Sequence, residues 1–256
     1  LKAELARLRA MGLEPIPKLN FSTCHDVWLK KYHRMVSTPE YYQVCRDVIK
    51  DVFAVFGRPR FFHLGFDEEA DHPYQSYVVI RKGDLWWHDL RFFIDEVKKG
   101  GARPWIWADY MWKHQDRFFA EMPKDVLLSN WYYYKPFDLL ALWHDRDHQT
   151  WFTELDAYGL IDIEGYDQVP TGSNWSADGN MAATAQFVKA HCGSGGIRGF
   201  LAAPWVKTLP QFERRHESQI DRVAEARAAV RIAGPDSAEL NGTRRRAQRD
   251  RGQHDR

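Results

Sequence analysis

Three acidic residues stand side by side directly after a strand-like segment. The segment Arg60–Gly65 (RFFHLG) is followed by Phe66 and then by Asp67, Glu68 and Glu69. Carboxylates this close repel one another, so the pKa of at least one should rise if they share a pocket. A carboxylic acid that keeps its proton near neutral pH is what glycosidic bond cleavage needs, because the departing oxygen must be protonated. A solvated acidic loop is the simpler interpretation of the same three residues.

The sequence around these acids alternates strand-like and helical segments. Thr38 or Ser37 can cap one helix, Pro39 suits its first turn, and Gly57 stops it. Apolar residues between these signals recur at helical spacing. The strands are predicted at 13–21, 60–65, 103–107, 126–130, 166–170 and 197–203. The helices are predicted at 1–11, 38–56, 84–99, around 113–119, in a long stretch ending near 158, at 182–190 and at 211–232.

Six strand–helix units predict an α/β fold with a parallel sheet, either doubly wound or a (β/α)8 TIM barrel that lacks its first two units. The residues that directly follow the predicted strands distinguish the two folds. Polar and aromatic residues follow most strands, as a barrel mouth requires: His25, 67–69, Asp109, Trp131, Tyr132, 173–175 and Trp205. No Gly-rich phosphate loop follows a strand, which disfavours nucleotide binding.

The barrel is therefore the predicted fold. Residues 1–233 are expected to form strands three to eight of a catalytic barrel, with the N-terminal part of the protein missing from this chain. Residues 234–256 are polar and rich in Arg, so we expect a disordered tail.

Composition excludes several classes of partner and cofactor. The net charge of +1 gives the chain no electrostatic reason to bind nucleic acid, and no apolar run approaches the roughly 20 residues that span a bilayer. Cys24, Cys45 and Cys192 are widely separated, which argues against a structural zinc site and permits one disulfide at most. The compartment and the oligomeric state stay open.

The segment FFHLGFDEE resembles the His-x-Gly-Gly-Asp-Glu signature of glycoside hydrolase family 20, the β-N-acetylhexosaminidases. The resemblance covers roughly residues 1–230 as an ordered set of strand motifs. PIPKLNFSTCH is similar to the third strand of the family, WIWADYMW to the fifth, LLSNW to the sixth and FLAAPW to the eighth. An uncharacterised family-20-like branch is an even closer candidate.

The resemblance implies a retaining exo-β-N-acetylhexosaminidase that needs no cofactor or metal and takes a carbohydrate substrate. It assigns Glu68 as the general acid. Asp67 orients the substrate's own 2-acetamido group, whose oxygen attacks the anomeric carbon, an exception to the two-carboxylate mechanism.

The resemblance also implies a set of substrate-binding residues. His25 matches a histidine that helps to position the acid pair, and Asp109 is placed to bind a sugar hydroxyl. Aromatic residues line the sugar pocket of the family, because indole rings pack well on apolar sugar faces. The corresponding positions here are Trp107, Trp131, Tyr132 and Trp205, with Tyr133 and Tyr134 as alternatives to Tyr132.

Four positions depart from the family pattern. Phe66 replaces the second glycine of the signature, which predicts a large side chain beside the acid pair. Lys207 stands where the eighth-strand motif usually carries an acid, and Lys18 and Asn20 correspond roughly to two third-strand acids. Glycosidase chemistry is thus better supported than specificity for N-acetylhexosamine.

Three other interpretations stay open. One is a glycosidase for another sugar that uses two carboxylates, such as Glu68 with Asp109 or Glu69. Another is a carbohydrate-binding barrel without catalysis. A metal site built from His63, Asp67 and Glu68 is the third, although a histidine inside a strand is more typical of a core.

Overall fold

The computed structural model describes residues 1–70, 81–193 and 195–231. Helices and strands alternate along the chain. The helices are α1 (Lys2–Ala10), α2 (Pro39–Phe56), α3 (Asp84–Lys99), α4 (Met111–Glu121), α5 (Leu139–His144), α6 (Gln149–Ile163), α7 (Asn180–His191) and α8 (Glu213–Arg231), with 3-10 helices at Asp26–Arg34 and Pro210–Phe212. The strands are β1 (Phe61–His63), β2 (Arg103–Trp107), β3 (Leu127–Ser129), β4 (Thr171–Gly172) and β5 (Leu201–Ala202).

The chain divides into two compact units, Leu1–Leu128 (unit 1) and the residues from Ser129 onward (unit 2). In unit 1, β1, β2 and the first two residues of β3 form a sheet with the order β1-β2-β3. The parallel register sets His63 of β1 opposite Trp105 of β2. Lys18 pairs in parallel with His63 as an isolated bridge on the other edge of β1. Neighbouring strands in this sheet therefore follow chain order.

In unit 2, β4 pairs in parallel with β5. Isolated parallel bridges join Trp131 to Thr171 and Gln168 to Ile197, so neighbouring segments follow chain order here too. Parallel strands in chain order are what a strand–helix repeat produces. Among the described residues no sheet closes into a barrel, and the TIM barrel stays a prediction.

Elements with strong local signals lie where they were predicted. The cap of α2 is Thr38, whose hydroxyl accepts a hydrogen bond from the Tyr41 N–H at 3.3 Å, and the helix ends before Gly57. Residues 84–99 and 103–107 form α3 and β2 with the predicted bounds. Capping, glycine stops and helical spacing act within a few residues, so they can be read without knowledge of the tertiary structure.

Three predicted segments differ in the structure. The predicted strand at 13–21 is shortened to a parallel bridge at Lys18, flanked by backbone hydrogen bonds that join Pro17 and Leu19 to His63 and Phe21 to Leu64. The long helical stretch is two helices, because Asp145 accepts hydrogen bonds from the backbone N–H groups of Asp147 and His148 and ends α5. The strand predicted at 166–170 lies slightly later, as β4 at Thr171–Gly172.

Each unit has its own aromatic core. In unit 1 the Phe93 ring of α3 packs against Phe21 and Phe66, with ring centroids 4.4 and 5.4 Å apart. Phe66 also meets Trp86, which stacks on Tyr110 at 3.8 Å. The core of unit 2 consists of apolar and aromatic side chains from α5, α6, α7 and the segment after β3: Tyr132, Leu142, Leu155, Tyr158, Phe187, Val188 and Cys192.

Two expectations from the sequence concern the C-terminal tail and membrane-spanning helices. The disordered tail predicted at 234–256 lies outside the described residues. Of the helices that the structure describes, none combines the length and the apolar character that crossing a bilayer demands.

Candidate active site

The backbone turns sharply where β1 runs into the acids. Gly65, Phe66 and Glu68 have φ values of +78°, +68° and +60°. A Cβ at residue 65 would lie 1.9 Å from Asn20 Oδ1, so only glycine fits there. The left-handed conformation costs a non-glycine residue about 1–2 kcal/mol, and such strain concentrates at functional sites.

The sequence predicted that Phe66 would place a large side chain beside the acid pair, whereas the structure places that side chain in the core of unit 1. The Phe66 ring is fully buried and packs against Phe93 and Trp86. The positive φ of Phe66 turns its ring into the core. This chain thus accommodates a large side chain where the family signature has glycine.

The three adjacent acids occupy three different environments. Asp67 is buried, with 7% of its surface exposed. The Glu68 side chain is 48% exposed, and the Glu69 side chain is completely buried. Because neighbouring residues face different surroundings, only Glu68 is open to a ligand.

Asp67 is held by polar groups from the segment before the first 3-10 helix. Asn20 Nδ2 donates to Asp67 Oδ1 at 2.7 Å, and His25 Nε2 lies 3.5 Å from Asp67 Oδ2. Burial raises the pKa of Asp67, while the charge of His25, the hydrogen bond from Asn20 and the charge of Lys18 oppose that rise. These groups favour the carboxylate in a site that would otherwise protonate it.

Glu68 is fixed at both its backbone and its side chain. Its N–H donates to Asp109 Oδ2 at 2.7 Å, and His25 Nε2 lies 3.0 Å from Glu68 Oε2. The hydrogen bond with Glu68 is the main cause of the raised pKa of His25. Burial, and then the charge of Asp67, raise the pKa of Asp109 well above its usual range. Asp109 is buried, and its carboxyl group holds the Glu68 backbone by accepting this hydrogen bond.

Glu69 belongs to a buried ion pair with Arg81. Arg81 Nη2 and Nε donate to the two oxygens of Glu69 at 2.5 and 3.2 Å. Arg81 also donates to Phe21 O at 2.6 Å and to Asp89 Oδ2 at 3.3 Å, and its guanidinium lies over the Phe66 ring at 4.5 Å. This network ties the segment that carries His25 to the turn that carries the acids.

Trp107, the last residue of β2, lies under the Lys18 side chain. Lys18 Nζ lies 4.9 Å from the centroid of the Trp107 ring, and the indole is 1% exposed. His63 packs beside Trp107, and its Nδ1 accepts a hydrogen bond from Gly65 N–H at 3.0 Å. Burial, followed by the charge of Lys18, lowers the pKa of His63 well below its usual range, so it is neutral.

The metal hypothesis gains no support from this geometry. His63 uses Nδ1 to hold the turn at Gly65. No group of three side chains suited to a metal ion occurs in the part of the chain that the structure describes.

Unit 2 carries a separate group of aromatic residues, which we call the aromatic cluster: Trp131, Tyr133, Trp175 and Trp205. Trp131 stacks on Tyr133 with centroids 5.2 Å apart and planes 14° apart. The rings of Trp175 and Trp205 each lie 6.4 Å from Tyr133. Trp175 is 51% exposed and Trp205 is 45% exposed, and Trp205 has a φ of +49°. Exposed indoles at strand ends present surfaces on which apolar sugar faces can pack.

Tyr132 lies in the core of unit 2. Its side chain is buried, and its hydroxyl donates to Pro136 O at 2.9 Å. The same burial favours a packing role for Tyr132, and Tyr133 is the tyrosine that joins the aromatic cluster.

A buried acid in unit 2, Glu154, carries a pH-dependent prediction. Burial raises its pKa to about 8, from an ordinary value of 4.5. Between these values the folded protein holds a proton that the unfolded chain releases, so the free energy of unfolding falls as the pH rises through this window. We expect Glu154→Gln to flatten that fall, since it removes up to about 1.4 kcal/mol per pH unit.

Urea unfolding at several pH values between 5 and 8 measures this effect. The exposed acid Glu217 provides the control variant Glu217→Gln, which should retain the wild-type slope. Identical slopes for wild type and Glu154→Gln would show that Glu154 does not hold the proton.

The structure brings Asp67, Glu68, His25 and Asp109 together in unit 1, as the sequence predicted for the acid site. Trp131 and Trp205 meet through Tyr133 in unit 2. Sequence reasoning missed Arg81, because no local pattern links it to residues 12 and 60 positions away. The role of Asn20 was also missed, since this residue was noted only as a departure from the family pattern.

Comparison with known proteins leaves the family unassigned: no protein-family model matches this chain, and no curated protein resembles it in sequence.

Proposed function

We propose that this protein is a glycoside hydrolase whose reaction takes place at the end of β1. One observation carries the proposal: consecutive residues supply an exposed carboxyl group and a sheltered one, and a single histidine contacts both. His25 Nε2 lies 3.0 Å from Glu68 Oε2 and 3.5 Å from Asp67 Oδ2. Two carboxyl groups in contrasting environments can take different roles in glycoside cleavage, and the exposed Glu68 is the one that a glycosidic oxygen can reach.

Glu68 is the general acid in this proposal. Its side chain is half exposed, so it can reach a glycosidic oxygen that enters from solvent. As the bond between the anomeric carbon and that oxygen breaks, the proton of Glu68 moves to the departing oxygen. The resulting carboxylate then takes a proton from the water that completes hydrolysis.

Asp67 stabilises positive charge. The carboxylate is sheltered, and Asn20 and His25 fix its orientation. In a substrate with a 2-acetamido group, the amide oxygen bonds to the anomeric carbon as the leaving group departs, and Asp67 faces the positive charge that develops on the amide. This assignment follows the resemblance to retaining exo-β-N-acetylhexosaminidases, and intramolecular attack gains from a high effective concentration.

The contacts of Glu69 and Asp109 disfavour the two-carboxylate alternative. Glu69 is completely buried and paired with Arg81. Asp109 is buried and accepts a hydrogen bond from the Glu68 N–H. Neither carboxyl group is placed to serve as a second reacting group beside Glu68.

A carbohydrate-binding protein without catalysis is the second candidate, and the aromatic cluster favours it. Trp175 and Trp205 are both about half exposed, although indoles usually gain from burial. Such rings support sugar binding whether or not Glu68 performs chemistry.

Hydrolysis of nitrophenyl β-glycosides tests the proposal. The panel pairs N-acetylglucosaminide and N-acetylgalactosaminide with the glucoside and galactoside, which lack the acetamido group. We expect release only from the acetamido sugars, with a β-anomer as the first product by NMR. Comparable rates on the glucoside would favour a two-carboxylate enzyme. Sugar binding without release from any member would favour the binding protein.

A further inference from the structure

Lys18 places a cation beside the acid pair. It lies on the edge of β1, where it pairs with His63, and the residue is exposed. Asp67 acts on the ammonium electrostatically and opposes the lowering of the Lys18 pKa that partial desolvation causes. The ammonium lies over the Trp107 ring at 4.9 Å. A cation in this position is fixed by an aromatic face on one side and carboxylate charge nearby.

Lys18 also changes what a ligand can contact at this edge. Trp107 is 1% exposed, so its ring offers no open face on which a neutral sugar could stack. Where the sequence predicted an aromatic platform, the structure presents an ammonium group over the indole. An ammonium attracts an anionic substituent far more strongly than it attracts a hydroxyl group.

Most of the acidic side chains around the site are buried, and one is exposed. Asp67 and Asp109 are buried, and Glu69 is compensated by Arg81. Among these acids Glu68 alone is exposed, and His25 Nε2 lies 3.0 Å from its Oε2. The exposed acid is thus already paired with His25, so Lys18 can face an anionic group of the substrate.

We propose that Lys18 binds an anionic substituent of the substrate, so that the protein prefers acidic glycans, with a carboxylate or sulfate on the reacting sugar or on the unit attached to it. This inference rests on the proposed function, because it specifies the substrate class of the same site. Lys18 makes a charge-assisted hydrogen bond to the anionic oxygen and takes no part in proton transfer.

Matched substrate pairs test the preference. One pair is nitrophenyl β-N-acetylglucosaminide and its 6-sulfate, which places the charge on the reacting sugar. The other is N-acetylglucosamine β-linked to glucuronic acid or to glucose, which places a carboxylate on the leaving sugar. We expect the acidic member of at least one pair to have the higher kcat/KM, and its KM to rise with ionic strength because salt screens the charge. The responding pair identifies where the anion lies.

Variants at Lys18 connect the preference to this residue. We expect Lys18→Met to lower the acidic-to-neutral ratio of kcat/KM by about 10- to 100-fold, the usual effect of losing a hydrogen bond to a charged group. Lys18→Arg keeps the charge and should retain most of the ratio. Lys50→Met, which removes an exposed lysine from α2, should leave both members of each pair unchanged. Equal rates within both pairs, or an unchanged ratio in Lys18→Met, would overturn the proposal.

Direct binding separates this proposal from the proposed function. If no glycoside is hydrolysed, the glycosidase proposal fails, and titration of methyl β-glucuronide and 6-sulfo-N-acetylglucosamine by NMR still tests the anion site. Binding that weakens at least tenfold in Lys18→Met and survives in Lys50→Met would sustain the site. Binding equal to that of neutral sugars would rule it out.

Discussion

Replacing Glu68 by Gln should lower turnover of a β-N-acetylhexosaminide with a poor leaving group, such as an alkyl or unsubstituted phenyl aglycone, by about 10²- to 10⁴-fold, the usual contribution of a general acid. Glutamine keeps the size of the side chain and cannot give up the proton. The loss should shrink as the leaving group becomes more acidic, because a stable phenolate departs without protonation. Such a dependence on the leaving group distinguishes an acid role from general damage to the site.

Two measurements accompany this variant. The unfolding midpoint should change little, because the Glu68 side chain is half exposed. The pKa of His25, followed by NMR, should fall, because its hydrogen bond with Glu68 is the main cause of the raised value. Glu40→Gln removes an exposed acid from the start of α2 and should leave both rate and His25 pKa unchanged. Substantial activity in Glu68→Gln with poor leaving groups would contradict the assignment.

Replacing Arg81 by Met should lower the free energy of unfolding by about 3–5 kcal/mol, as expected when one partner of a buried ion pair is removed. Arg81, Glu69 and Asp89 have no exposed side-chain surface. Methionine fills a similar volume but leaves the two acids with uncompensated charge in the interior. Urea unfolding at neutral pH measures the loss.

Arg117 provides a matched control, since it also pairs with two acids, Asp84 and Glu121. Its side chain is 37% exposed, so Arg117→Met should cost less than about 1 kcal/mol. Adding Glu69→Gln to Arg81→Met should restore part of the stability, because one unpaired charge disappears. Similar losses for Arg81→Met and Arg117→Met would show that the Arg81 network is not a buried electrostatic anchor.

Local signals explain how much of the fold the sequence predicted. The α2 helix begins at a capping Thr38 and stops at Gly57, and both signals act within one turn. The segment 13–21 pairs with the end of β1 only through its second half, by backbone hydrogen bonds at Pro17, Leu19 and Phe21, because pairing depends on neighbours as well as on local pattern. The barrel itself requires closure between distant strands, which no local pattern specifies.

The candidate site was predictable where its residues are adjacent in sequence. Asp67 and Glu68 stand out because acids directly after a buried strand are unusual, and His25 followed from the resemblance to a known motif. The different environments of the acids depend on contacts between residues far apart in sequence. Arg81 binds Glu69 across 12 residues, and Asn20 binds Asp67 across 47 residues. Those contacts and the inward turn of Phe66 are tertiary properties, which composition and spacing do not encode.

Phe66 connects the acid pair directly to the aromatic core of unit 1. Its ring packs against Phe93 and Trp86, while its backbone is bonded directly to Asp67. A substitution that moves those rings should therefore change the backbone torsion angles from which Asp67 and Glu68 project. Aromatic residues of α3 that do not touch the acids would then control the geometry of the acid pair.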